Sequence, residues 1–553
     1  MPFLHIPTLN FDFSTCTNDG RGAGTSVEGP GCLTLSMAAI GALYVGDHLQ
    51  SKALFESAKK MLQLYIEIRR KADVRRADHR SRASEASTRT PVFLAQAMLL
   101  NIIYGFNSGD KVAGENALIH CATLVSLANA VIKPPPSDNG SSQQDVRMND
   151  DDSMNGFIKT ETPDDQQEWL NWKTAEESKR TLYAIFILSS MLVSAINHVP
   201  FLTNSEIESD LPCDEEFWSA ESANSFYAMG GVEMANHNQI TFKAALGELL
   251  QASDKQQYQQ AQAQHFGNGN NAQEFPQSDL KPSTFGCLIL INALHNYIWE
   301  TRQRHAEQEW TNEETERMYR HIEPALKAWQ LAWQRTPGHS VKRPNPYGLG
   351  PLSADSVPLL DLAYYPPQKS EGPSKRERHF KKAAQYAADF LSMSSQFGIT
   401  FADFTSRELP LQAAMCAFDC AQVVAEWVTL VQERLGRYIG ILGHTDVDFS
   451  SVPAIMYLEE EDVKLLEKIK DVVESAEMKM QLEQTNAHMN GGQTFPALDN
   501  CGFGSRILRV TAFQLDRAAV WQVTHLMARA LETQAIHVQT RAERSSQPKD
   551  HFL

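Results

Sequence analysis

Apolar positions along the first quarter of the chain recur every three or four residues. In "ALFESAKKMLQLYIEIRRKA", Leu54, Ala58, Met61, Tyr65 and Ile68 share one stripe, with Glu56, Lys59, Lys60, Gln63, Glu67 and Arg70 opposite. That spacing predicts a half-buried surface helix. Thr90-Pro91 opens "TPVFLAQAMLLNIIYGF" with proline at the first helical position, where its missing N–H costs nothing. Asp110 is placed to cap "DKVAGENALIHCATLVSLANAVI", whose apolar residues step the same way. Later helices are expected at roughly 283–307, 311–335, 377–396, 407–436, 459–485 and 505–543, with a capping box in "TNEE" at Thr311–Glu314. Strand-like alternation is missing, and so is a fixed-period repeat. The expected fold is all-α, built from helix hairpins around a buried central helix, with disordered insertions.

The central helix comes from "EESKRTLYAIFILSSMLVSAINHVPFLTNSEIESDLPCDEEFW", residues 176–218. Thr174 and Glu177 have capping-box spacing, which places the start about eight residues before the apolar run. Glu176, Glu177, Lys179 and Arg180 in the first turns are expected in water or at a polar interface. Ser189, Ser190, Ser194, Asn197 and His198 interrupt the run, and Pro200 is expected to end it. A bilayer needs about 20 predominantly apolar residues. The stretch reads instead as a core helix.

Three segments break the helical pattern. Residues 133–168 carry three prolines followed by Ser, Asn, Gln and Asp, the composition of a flexible linker. Residues 251–277 are Gln/Asn-rich and read as disordered, and 336–375 read as irregular and packed on the surface. These breaks suggest a region over 1–250 containing the 133–168 linker, an insertion at 251–281 and a C-terminal helical extension over 282–545.

Composition narrows the function. The net charge of -17 opposes a broad grip on a polyanion, because nucleic-acid affinity rests on neutralising phosphates with basic residues. The eight cysteines are irregularly spaced, and "MPFLHIPTLNF" lacks the basic and apolar regions of a signal peptide, so an intracellular setting is expected. Cys416 and Cys420 are four apart on a helix without matching histidines, which reads as buried thiols rather than a zinc site. HExxH, GxSxG and the phosphate loop ending in GK[ST] are all missing, and "GRGAGT" follows no strand.

The faint chemistry is acidic and basic. Asp164, Asp165 and Glu168 in "DDQQE" could hold magnesium against a diphosphate, with Asn149, Asp150 and Ser153 as an incomplete second motif. The bland reading is solvated acid before a helix N-terminus, where negative charge is favoured. Arg69, Arg70, Lys71, Arg75, Arg76, Arg80 and Arg82 form a candidate nuclear-import cluster, weighed level with a solvated helix end. For "KRERHFKK" at 375–382 the solvated reading leads. Lys159 in "FIKTE" and Thr162 before Pro163 are candidate sites for SUMO conjugation and proline-directed phosphorylation.

"PFLHIPTLNF" at 2–11, "LTLSMAAIGALYVGD" at 33–47 and the stretch 176–212 resemble, in that order, the fungal-specific transcription factor domain. The residues carrying the likeness are Glu177, Lys179 and Arg180 at the helix start, Pro200 at the turn, and Leu211-Pro212 at the end. The N-terminal stretch followed by "AKKMLQLYIEIRRKAD" is more similar to the subgroup with two-Cys two-His zinc fingers. The resemblance implies a nuclear regulator of RNA polymerase II transcription that is not an enzyme. Its partners would be transcription machinery or co-regulators, with room for a small-molecule effector and a homodimer, and without a membrane. It also implies a zinc-bearing DNA-binding module. No such module, and no other cofactor site, is visible in these 553 residues, so DNA contact is expected only through a module upstream or a partner. A helical protein-interaction scaffold is the alternative reading, and a magnesium-dependent all-helical enzyme the third.

Overall fold

The expected apolar spacing folds into helices throughout. The computed structural model describes residues 1–9, 31–78, 90–132, 163–256, 258, 280–303, 312–342, 345–348, 350, 352–363, 373–396, 411–444, 458–488, 501–518 and 520–547. Among these residues there is no strand, only one isolated antiparallel bridge between Asp210 and Thr241.

Four helices form the N-terminal group: α1 (Gly31–Val45), α2 (His48–Asp78), α3 (Val92–Asn107) and α4 (Lys111–Ile132). α1 packs on α2 and α3, and α3 on α4. The expected stripe of α2 meets the core through Ala58 and, partly buried, Leu54, Met61 and Tyr65. Phe55, Ala58 and Leu62 are its most buried apolar positions, whereas Ile68 is 51% exposed. Asp110 caps α4 as expected, accepting from the Val112 and Ala113 N–H groups at 2.9 and 3.3 Å. Pro91 is the N-cap of α3, one place before the expected position.

The central helix, α5 (Pro163–Ile196), starts earlier than expected and overlaps the proposed linker. Residues 163–168 are helical, and 133–162 lie outside the described residues. Pro163 at the first position, with Asp164 and Asp165 in the first turn, suits a helix N-terminus. The apolar payload comes next: Trp169, Leu170 and Trp172 pack with Ala220, Ala223, Phe226 and Ala235. Those residues belong to a run of short helices, α6 (Glu215–Trp218), α7 (Ala223–Ala228) and α8 (Gly231–Ala235), and their connections. Thr174 is therefore mid-helix, its hydroxyl donating to the Leu170 carbonyl at 2.8 Å, and the Thr174–Glu177 capping box does not form.

Nor does Pro200 end the helix. Asn197 does so, in the left-handed conformation at φ 52°, while the His198 N–H reaches back to the Leu192 carbonyl at 3.3 Å. This is a helix-ending motif in which asparagine tolerates the left-handed backbone better than most residues.

The remaining helices are α9 (Phe242–Leu250), α10 (Thr284–Gln303), α11 (Asn312–Arg335), α12 (Leu352–Ala363), α13 (Pro373–Gln396), α14 (Leu411–Ile439), α15 (Glu460–His488), α16 (Phe503–Arg517) and α17 (Gln522–Ser546). Residues 252–256 are also helical; most of the expected insertion beyond them, like Thr311 of the second capping box, lies outside the described residues. α12 corrects the irregular reading of 336–375. Leu359, Leu360 and Ala363 bury its apolar face, and it packs on α10 and α14 despite Pro358 within it. The single helix expected over 505–543 is two. The chain turns at buried Val520 and Trp521, and the Thr524 hydroxyl bonds the Ala518 and Trp521 carbonyls at 2.8 and 2.7 Å.

α5 lies against α3 and α4 on one side and α10 on the other. From α10 the packing continues through α12 to α14, and then to α13, α16 and α17. α17 returns to touch α3, and one apolar core runs from Phe3 to Val538. α5 and α14 are long and apolar enough to cross a membrane by length and composition, yet 67% of each such window is buried inside the protein. They are core helices.

Candidate functional site

A charged sequence at the head of an apolar helix has to be satisfied from elsewhere in the chain. Arg180 is fully buried, and Glu176 one turn before it is 3% exposed. This corrects the expectation that these turns face water. Arg180 Nε donates to Glu176 Oε1 at 2.9 Å, and Nη1 donates to Glu215 Oε2 at 3.1 Å and to the Pro2 carbonyl at 3.2 Å. Nη2 donates to the Cys213 carbonyl at 2.8 Å. The guanidinium carbon lies 4.6 Å from the Trp218 ring centre, a cation–π arrangement. Glu176 also accepts from the Cys213 N–H at 3.0 Å and pairs with Lys179 at 2.7 Å.

One arginine thus ties together the N-terminal segment, α5, the exit loop and α6. Burial alone would lower the Arg180 pKa, but the Glu215 and Glu176 carboxylates reverse that and raise it. Burial alone would raise the pKa of Glu176, and Arg180 and Lys179 hold it below the ordinary carboxylate value. The charges are paired and hydrogen-bonded, the condition under which buried charge is tolerated.

Glu177, Lys179, Leu211 and Pro212 of the family signature lie around this hub, whereas Pro200 lies at the far end of α5. Glu177 pairs with Lys173 at 3.1 Å and accepts from Gln96 at 3.1 Å; Gln96 also holds the Phe3 carbonyl at 3.0 Å. Leu211 donates its N–H to the Ile240 carbonyl at 2.8 Å, and the Pro212 carbonyl accepts from Ser283 at 3.1 Å. Tyr183 on α5 donates to the Ser209 and Asp210 carbonyls at 3.0 and 3.1 Å, holding the exit loop against the helix. Pro200 is buried in the turn after Asn197.

The opposite end of α5, roughly 25 Å away at ~1.5 Å per residue, opens on a cavity. Its volume is about 470 Å³, and it is bounded by the end of α5, by α10, by the end of α12 and by α14. Asn197, His295, Trp299, Arg302, Asp419 and Gln422 are among its polar lining, with Ile298 and Leu362 among the apolar walls. Trp299 Nε1 donates to Asn197 Oδ1 at 2.7 Å, and His295 Nε2 donates to the Leu359 carbonyl at 2.7 Å. Burial pushes His295 down to about 4 and Asp419 up to about 7. Among the described residues, no hydrogen bond or ion pair holds the Asp419 carboxyl.

The remaining sequence candidates fall apart from both features. Asp164 and Asp165 lie in the first turn of α5, while Glu168 accepts a hydrogen bond from the Tyr227 hydroxyl. Asn149, Asp150, Ser153, Lys159 and Thr162 lie outside the described residues, as do Arg80 and Arg82. Arg69 donates to Thr90 at 3.2 Å and Lys71 pairs with Glu67 at 3.1 Å, while Arg70, Arg75 and Arg76 continue along α2. In the second basic run, Lys381 is not solvated: it is buried among Glu459, Glu461 and Asp462 at 2.8–3.0 Å. Cys416 and Cys420 are buried and form no disulfide. Among the described residues, no three His, Cys, Asp or Glu are grouped to hold a metal ion.

Sequence reading overlooked Glu215 and Asp419. Glu215 lies 35 residues from Arg180, with no periodic link to it. Asp419 had a signal, a lone carboxylate within the apolar "MCAFDCAQVV".

Fold and site together define an all-α body organised on one charged, buried helix. The chain belongs to the fungal specific transcription factor domain family, whose domain matches residues 1–329. A fungal transcription factor C-terminal domain matches residues 360–533. Both families are regulatory, and the chain is accordingly a fungal transcription regulator. No solved structure matches it significantly. The cavity is shared between the two matched regions, with α5 and α10 from the first and Leu362 and Asp419 from the second.

Proposed function

We propose that this chain is the regulatory, middle-homology region of a fungal RNA polymerase II transcription factor. It works in the nucleus, modulating transcription through contacts with the transcription machinery or co-regulators and in response to a small-molecule effector. Sequence-specific DNA recognition comes from a separate zinc-bearing module of the two-Cys two-His type, or from a partner. Within the chain, residues 1–250 form the regulatory core and 282–545 a helical extension packed on it, with 251–281 as an insertion between them. The observation that carries this reading is the pair of family matches joined by one apolar core. Fusion to a heterologous DNA-binding module tests it. The tethered chain should change reporter transcription relative to the module alone, and a folded, nuclear fusion that leaves the reporter unchanged would contradict the reading.

A further inference from the structure

A carboxyl group enclosed in a cavity without a partner is costly unless it stays protonated or meets a cation. Asp419 is in that position, on a cavity of a size that holds small molecules. We propose that the cavity at the C-terminal end of α5 binds a small organic amine with an apolar body. The Asp419 carboxylate receives the ammonium group, the Trp299 indole lines its approach, and Ile298 and Leu362 take the apolar part. This deepens the regulatory reading by naming the chemistry of the effector.

The choice of a cation over an anion follows from the lining. The charged and titratable groups facing the cavity are Asp419 from α14, and His295 and Arg302 from α10; α5 and α12 contribute none among the described residues. Arg302 takes part in interactions of its own, with only its Nε lacking a hydrogen-bond partner, whereas no hydrogen bond or ion pair among the described residues reaches the Asp419 carboxyl. His295 donates to the Leu359 carbonyl and stays neutral at ordinary pH. Asp419 is the charged group with neither an ion pair nor a hydrogen bond among the described residues, and an ammonium supplies both. A ligand carboxylate would meet Asp419 as a like charge or would keep it protonated.

Binding should then be linked to pH. Below about 7, Asp419 is mostly protonated and must release a proton as the ammonium binds. Affinity therefore rises with pH until Asp419 is ionised in the unliganded protein, and levels off above that. His295 and Arg302 do not change charge over this range.

The test is isothermal titration of the full purified chain with 2-phenylethylamine and hexylamine, each compared with the alcohol and carboxylate of matching length. The amines should bind saturably at pH 7.5, at least about tenfold tighter than the alcohols, with affinity falling about tenfold or more by pH 5.5. Asp419→Asn, which keeps the side chain's size, should lower amine affinity at least about tenfold and abolish the pH dependence. Leu362→Trp, which fills the cavity, should block the amines as well. Failure of both amines to bind, equal binding of amine and alcohol, preference for the carboxylate, or a flat pH profile in the wild-type chain overturns the proposal. The wild-type profile decides the matter even if a variant folds poorly. Because binding is read on purified protein, its failure leaves the reporter result for the regulatory reading untouched.

Discussion

Arg180 carries the densest set of contacts among the predicted signature residues, and its removal takes the ion-pair partner from Glu215 and one of two from buried Glu176. Arg180→Met should cost about 3–5 kcal/mol, the usual range for breaking a buried pair from one side. Arg180→Lys should recover only part of that, because an ammonium cannot fork to Glu176, Glu215 and the Cys213 carbonyl together. Urea denaturation of the three proteins checks both the loss and the order. The pH dependence runs in opposite senses at the two ends of α5. Glu176 has a folded pKa below its ordinary 4.5, so its contribution is present above that value and is lost as pH falls through the depressed one. Asp419 has a folded pKa raised from 3.8 to about 7, so the wild-type chain loses stability as pH rises between those values. Asp419→Asn should accordingly melt about 1–2 °C higher than wild type at pH 7.5, with the difference shrinking toward pH 4. A thermal shift that is equal at both pH values would contradict this account. The charged pattern "EESKR" was legible in the sequence as a helix start, but its burial was not, since Glu215 and Pro2 arrive from distant parts of the chain.

At the scale of elements, three-and-four spacing located most of the long helices, because each buries one apolar face. It failed where composition and packing disagreed. The head of α5 looked like linker until Trp169 and Trp172 are seen against Phe226 and its neighbours. The turn between α16 and α17 carries neither glycine nor proline, so only the burial of Val520 and Trp521 marks it. α2 bears the prediction belonging to this scale. Its basic C-terminal part, together with Arg80 and Arg82 outside the described residues, is proposed to serve nuclear import, since Lys71 has an exposed i,i+4 partner, a weak tie. Replacing Arg75, Arg76, Arg80 and Arg82 with Ala should shift a fluorescent fusion toward the cytoplasm. An unchanged nuclear fraction in a folded protein would return the cluster to a solvated helix end.

At the scale of the molecule, one core joins the two matched regions, and α5 spans the distance between the arginine hub and the cavity. The fold class was legible because helices dominate the pattern. The cavity was not, since its walls come from four helices far apart in sequence. At a net charge of -17 we propose that such a body meets DNA through another module, its own contacts to phosphate being weak and strongly salt-dependent. The most direct measurement is reporter transcription at matched nuclear levels for the full chain tethered through a heterologous DNA-binding module, beside the same fusion carrying Arg180→Met. The wild-type fusion should change output from the module alone, and the hub variant should lose most of that change. Output indistinguishable from the module alone, with the wild-type fusion folded and nuclear, would contradict the regulatory reading.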